Sequence, residues 1–212
     1  MKVAIVLYPR FTSMDTVGPY EVLARLPDTE VIYVAEQPGR LTNDLGSLTI
    51  DVAASLDDVT DPEVVLIGGG PGQADQMSDG KLHEWLRAVD QTSAWTTSVC
   101  TGSLILAASG VLAGRRATSH WMALDQLPQF DVIPTKERVV IDGKYATAAG
   151  VSAGVDMALT LAAQLKGEQE AQAVQLIIEY APEPPYDAGS PDSAPAAVVA
   201  DVRKRLSARF DG

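Results

Sequence analysis

Trp95-Thr96-Thr97-Ser98-Val99-Cys100-Thr101-Gly102-Ser103 changes character at its cysteine. Trp95 to Val99 is a strand-like run, whereas Thr101 to Ser109 offers small and apolar residues suited to a helix packed closely under a sheet. Gly102 permits close backbone approach, so Cys100 is expected at an elbow where a buried strand turns into a helix. Two readings of Cys100 stand on the residues alone. It is a nucleophile whose thiolate is stabilised, and its pKa depressed, by helix N-terminal amides, or it is a small hydrophobe in the core.

Moving outward, Val64-Val65-Leu66-Ile67 is a second buried strand, and it breaks abruptly into Gly68-Gly69-Gly70-Pro71-Gly72. Backbone amides there, Gly69 and Gly70 among them, can hold an oxyanion or a substrate, or the glycines merely relieve crowding at a tight strand exit. The spacing of a phosphate loop or a dinucleotide fingerprint is absent. Val3 to Tyr8 is a third apolar run, ended by Pro9, and Asp15 to Leu26 reads as a helix through Val17, Tyr20, Leu23 and Ala24. Asp15 therefore falls at the same sheet edge as Cys100, where it can cap a helix, donate a proton or bind a substrate group.

Further strands are expected at Thr29 to Ala35, Leu48 to Val52 and Arg138 to Ile141, the last turning at Asp142-Gly143 into Tyr145 to Thr147. Helices are expected at Lys81 to Gln91, Ser152 to Leu165 and Gln169 to Glu179. This alternation predicts a doubly wound α/β fold of the flavodoxin-like kind, with a mainly parallel sheet and helices on both faces. Ligands in such folds gather beyond the carboxyl ends of the strands, which is where Cys100, Asp15 and the glycine run lie.

His120 follows Cys100 by twenty positions, and it is either a partner for the thiol or a packed structural histidine. Trp121 beside it is a pocket wall or a core residue. His83, between Lys81-Leu82 and Glu84, is expected at the surface. Two histidines and one cysteine supply no metal-ligand cluster and no intrachain disulfide.

Five prolines between Ala181 and Pro195 exclude regular structure there, and Ala196 to Phe210 regains helical periodicity. One domain over residues 1–212 is expected, with the arm and helix of 181–212 packed on it or on a partner subunit. The chain carries 28 acidic against 16 basic residues, a net charge of −12, which argues against nucleic acid or an anionic membrane as partner. No stretch has the length of a membrane span or the pattern of a signal peptide, so a cytoplasmic location is expected.

Five segments together carry a resemblance: Met14-Asp15-Thr16-Val17-Gly18-Pro19, Ile67 to Gly72, Thr97 to Ser103, Ala117-Thr118-Ser119-His120-Trp121, and Glu179-Tyr180-Ala181-Pro182 with Ala188-Gly189-Ser190-Pro191-Asp192. In them the chain resembles the DJ-1/PfpI superfamily and, within it, the bacterial isocyanide (isonitrile) hydratases. The resemblance implies a homodimer, Cys100 as nucleophile, Asp15 as its partner carboxyl, Thr101 as a nearby active-site residue, and no metal or organic cofactor. It implies hydration of a small-molecule isocyanide to an N-substituted formamide, with Cys100 forming a thioimidate and Asp15 supplying the proton. The alternatives are a redox-sensing or ligand-binding member without hydratase activity, or another thiol-dependent hydrolase or deglycase-like enzyme. Family members that regulate transcription carry an added helix-turn-helix region, for which no basic unit is present here.

Overall fold

Val3, Ala4, Ile5 and Val6 are all buried, and a strand apolar on both faces belongs in the middle of a sheet. The computed structural model, which describes residues 1–210, places them there. The strands are β1 (Lys2–Val6), β2 (Glu30–Ala35), β3 (Gly39–Thr42), β4 (Thr49–Val52), β5 (Ala54–Ser55), β6 (Val64–Ile67), β7 (Trp95–Val99), β8 (Arg116–Ala117), β9 (Ile133–Pro134), β10 (Val139–Asp142) and β11 (Tyr145–Ala148). The helices are α1 (Ser13–Leu23), α2 (Lys81–Asp90), α3 (Gly102–Ala108), α4 (Ala153–Lys166), α5 (Glu168–Ile177) and α6 (Ala196–Phe210). The main sheet runs β10-β11-β7-β6-β1-β2-β5, and each neighbouring pair is parallel except β10 with β11. This is the doubly wound, mainly parallel architecture that the sequence predicts.

Side chains alternate across the strands, so each strand feeds two cores. Ala4, Val6, Val65 and Ile67 enter a cluster with Leu82 and Leu86 of α2 and Leu104 and Ile105 of α3. The alternate, equally buried residues Val3, Ile5, Val64 and Leu66 face the other way. On that side α1 packs against α4, with Gly154 of α4 close to both Val99 and Pro19. Each fully buried Leu, Ile or Val contributes about 1.5–3 kcal/mol, so the two faces are the main source of stability.

Topology then decides where ligands can sit. The chain leaves β1 for β2 on one side and returns to β6 on the other, which opens a crevice at the carboxyl ends of β1 and β6. Into this crevice run the glycine loop after β6, the first turn of α1 after β1, and, one strand further, the β7–α3 elbow.

Several expectations are refined. Leu48 to Val52 is not part of the main sheet: β4 pairs with β3 in a separate antiparallel ribbon. The hairpin joining β10 to β11 turns through Gly143 and Lys144, with Gly143 at φ 64°. His83 is buried rather than exposed, because it lies on the inner face of α2 and its Nε2 is 2.8 Å from the Gln76 carbonyl. The described residues fall into two compact units, Met1–Ile178 and the segment from Glu179 onward. In the second, the proline-rich stretch has only turns and bends before α6 begins. Residues 211–212, the end of the expected arm-and-helix segment, lie outside the described residues.

Candidate active site

Strand β7 has to stop and α3 has to start within two residues, Cys100 and Thr101, and Cys100 makes that turn in the left-handed region, at φ 60°. The conformation costs a non-glycine residue about 1–2 kcal/mol, so the surroundings must impose it. They do so through the main chain. The Cys100 N–H donates to the carbonyls of Ala148 and Ala149 at 3.0 and 2.9 Å. Its own carbonyl accepts the Ser103 hydroxyl at 3.2 Å and the Ser119 hydroxyl at 3.1 Å. Gly102 lets the elbow sit against β6, since a Cβ there would lie 2.3 Å from the Ile67 carbonyl oxygen.

The glycine loop joins the elbow to α1. Gly69 N–H donates to Asp15 Oδ2 at 2.8 Å, and Gly70 N–H donates to Thr101 Oγ1 at 3.1 Å. Gly69 is squeezed between them, because a Cβ on it would meet Thr101 Oγ1 at 2.4 Å. Asp15 is therefore no helix cap: it sits in the first turn of α1 with its carboxyl turned towards the loop. Gly69 and Gly70, read as oxyanion or substrate donors, already have their amides engaged by Asp15 and Thr101. The amides that reach the Cys100 sulfur belong to Thr101 and Val151.

Burial sets the electrostatics. Asp15 is fully buried, and loss of solvation pushes its carboxyl up to about 7. The Gly69 amide and the Cys100 thiol act against that rise, whereas the charge of Asp44 adds to it. Asp15 Oδ1 is buried without a well-formed hydrogen bond. Burial likewise pushes the Cys100 thiol well above its ordinary value, and the charge of Asp15 pushes it further, against the Thr101 and Val151 amides. The expected depression of the thiol is thus reversed: two amides do not offset burial beside a carboxylate. The two groups form a coupled pair that titrates as a unit.

His120 stands beside this pair without joining it. Among the described residues it makes no hydrogen bond to Cys100; its Nδ1 accepts the Met122 N–H at 3.3 Å, and its ring rests on Gly150. Burial lowers its pKa, so it is neutral at pH 7. Trp121 is half-buried, with its ring centroid 5.7 Å from that of His120. The structure therefore brings together Cys100, Asp15, Thr101, Gly69 and Gly70, with His120 and Trp121 at the margin.

Two contributors escaped sequence reasoning. Val151 supplies an amide to the sulfur from a backbone at φ 23°, which a β-branched residue adopts only under constraint. Tyr8, buried after β1, donates its hydroxyl to the Gly68 carbonyl at 2.7 Å and feels the charges of both Asp15 and Cys100. An aromatic just past an apolar strand, before Pro9, was the only sequence signal for it. No group of three or more His, Cys, Asp and Glu suited to a metal occurs among the described residues.

Comparison with known proteins places this site in context. The chain is 44% identical over 207 residues to an isonitrile hydratase of Pseudomonas putida, covering 98% of this chain and 90% of that protein. A solved THiJ/PfpI family protein from Pseudomonas syringae superposes with a TM-score of 0.95 at 37% identity, over 99% of this chain and 87% of that one. Drosophila melanogaster DJ-1beta shares the fold, with a TM-score of 0.76 at 24% identity over 85% of this chain and 98% of that one. The DJ-1/PfpI family profile matches residues 1–164, and the chain belongs to the DJ-1/PfpI family.

Proposed function

We propose that this protein hydrates organic isocyanides to N-substituted formamides, with Cys100 as nucleophile and Asp15 as proton donor. The observation that carries the reading is a buried carboxyl, raised to about 7, coupled to the only thiol of the chain. The 44% identity to an isonitrile hydratase along nearly the full length supplies the substrate class.

The chemistry balances with these two groups and water. In its reactive form the pair carries one proton, held by Asp15 beside the Cys100 thiolate. Sulfur attacks the terminal isocyanide carbon, which takes the Asp15 proton, and a thioimidate results. Water then adds across the carbon–nitrogen double bond; one of its protons ends on nitrogen. The resulting intermediate expels the thiolate as its hydroxyl proton passes to Asp15, which restores the starting pair and releases the formamide. The Thr101 and Val151 amides stabilise the thiolate as it leaves, and Thr101 Oγ1 keeps the glycine loop in place. His120 and Trp121 border the space that an isocyanide substituent would fill. A thiol that must stay reduced suits the cytoplasm.

Formamide production from a simple alkyl or aryl isocyanide tests the reading. Wild-type protein should turn over, and Cys100→Ser should lose activity by about 10⁴-fold or more; turnover by the serine variant at the wild-type rate would exclude covalent thiol catalysis. The assembly we propose is a homodimer, with the 181–212 segment packed on its own subunit or the partner. Light scattering should return twice the 22.4 kDa chain mass, and a monomer at low micromolar concentration would remove this part of the proposal.

A further inference from the structure

The Gly68 carbonyl and the Gly69 N–H are the two ends of one peptide unit, and each end is held by a different side chain. The carbonyl oxygen accepts the Tyr8 hydroxyl at 2.7 Å, while the N–H donates to Asp15 Oδ2 at 2.8 Å. A peptide unit is planar and delocalised, so a donor at its oxygen fixes the direction of its N–H and makes it a stronger donor. Tyr8 is buried, and its ring lies against the glycine loop, where a Cβ on Gly72 would meet Cδ2 at 3.2 Å. It has no alternative contact with solvent, and its geometry is set by the strand end it follows.

We infer that Tyr8 is a positioning residue for Asp15, acting through the single peptide that joins Gly68 to Gly69. The next peptide, Gly69–Gly70, is pinned separately, its carbonyl accepting the Thr12 N–H at 2.8 Å and its N–H donating to Thr101 Oγ1 at 3.1 Å. Among the described residues, Tyr8 is the side-chain donor at the carbonyl end of the Gly68–Gly69 peptide, on the far side from the carboxyl it serves. The role does not require Tyr8 to touch substrate. It follows that a phenylalanine would keep the packing and lose the polarisation of the Gly69 N–H, leaving ionised Asp15 less well supported. The charged and titratable groups facing Asp15 are Cys100 from the elbow, Asp44 from the turn before β4, and Tyr8 itself. Of these, only Tyr8 acts through the Gly69 amide.

The assignment deepens the proposed reaction, because it rests on Asp15 being its proton donor, yet its test does not depend on turnover. Infrared difference spectra between wild type and Asp15→Asn isolate the protonated Asp15 carboxyl, whose amplitude is followed against pH. In wild type the midpoint should lie near 7. In Tyr8→Phe it should rise by about half a pH unit, the size expected when one cooperative neighbour is removed from a charge-assisted hydrogen bond. The pH profile of Cys100 alkylation by iodoacetamide should move with it, and so should the acid limb of isocyanide hydration. Tyr145→Phe is the control, since it removes another buried tyrosine hydroxyl, one bonded to Asp90 at the opposite end of the sheet. A midpoint in Tyr8→Phe equal to that of wild type, or an equal shift in Tyr145→Phe, would overturn the inference. A shift confined to Tyr8→Phe in a protein that hydrates no isocyanide would uphold Tyr8 as the positioning residue and remove the hydratase reading instead.

Discussion

Asp15 and Asp90 are both buried carboxylates, yet they sit at opposite ends of the sheet in opposite circumstances. Asp90 closes α2 just before β7, and both of its oxygens are engaged: Thr96 Oγ1 donates at 2.7 Å, Tyr145 OH at 3.1 Å, and Lys144 Nζ lies at 3.1 Å. Asp15 has one backbone amide, a thiol beside it, and a buried oxygen without a well-formed partner. A carboxylate that gains a cation and two hydroxyls on folding holds elements together. One buried with less than it needs is held ready to take up a proton. Under the proposed reaction, burial alone does not distinguish structure from function, and the count of partners does.

The comparison is broken or sharpened first at Asp15. Asp15→Asn keeps the shape and removes the exchangeable proton, so kcat/KM for isocyanide hydration should fall by about 10²- to 10⁴-fold. A folded Asn variant that hydrates at the wild-type rate would reduce Asp15 to an underpartnered structural residue. Next in size is the pH dependence of stability. Folded Asp15 keeps its proton up to about 7, whereas the unfolded chain releases it near the ordinary carboxyl value. Between about pH 4 and 7 the folded state therefore binds more protons, and stability falls as pH rises, by up to about 4 kcal/mol. Denaturant melts of wild type and Asp15→Asn should coincide less and less over that window, the Asn variant becoming the more stable one at high pH.

The smallest effect belongs to Asp90. Asp90→Asn leaves Lys144 facing an amide and disturbs the Thr96 and Tyr145 bonds, and it should cost about 2 kcal/mol, softened because Lys144 is part-exposed. Isocyanide turnover by the folded variant should stay within about twofold of wild type. Equal losses of activity at Asp15 and Asp90 would mean that partner count does not separate the two roles.

The sequence made legible whatever depends on near neighbours. Apolar runs located β1, β6 and β7, the proline-rich stretch was irregular as expected, and the periodicity of Ala196 to Phe210 matches α6 end to end. Strand order was beyond reach, because a parallel pairing such as β1 with β6 joins residues about sixty positions apart. The same distance hid the use of the glycine amides, Asp15 and Gly69 being 54 positions apart, and the Tyr8 bond to Gly68. His83 was misplaced since its neighbours Lys81 and Glu84 are polar, while the helix turn carries its own ring inward. The sign of the thiol shift failed for a related reason: elbow amides can be inferred locally, whereas full burial beside Asp15 is a property of the assembled fold.

The clamp on the Cys100 main chain bears on when the cost of catalysis is met. Two carbonyls hold its N–H and two hydroxyls hold its carbonyl, drawn from the strand before α4, from α3 and from the segment after β8. The backbone that carries the sulfur is consequently held by contacts made during folding. In the proposed reaction each turnover then has chiefly the isocyanide and a water to immobilise, and the entropy of ordering the Cys100 backbone stays out of the activation barrier.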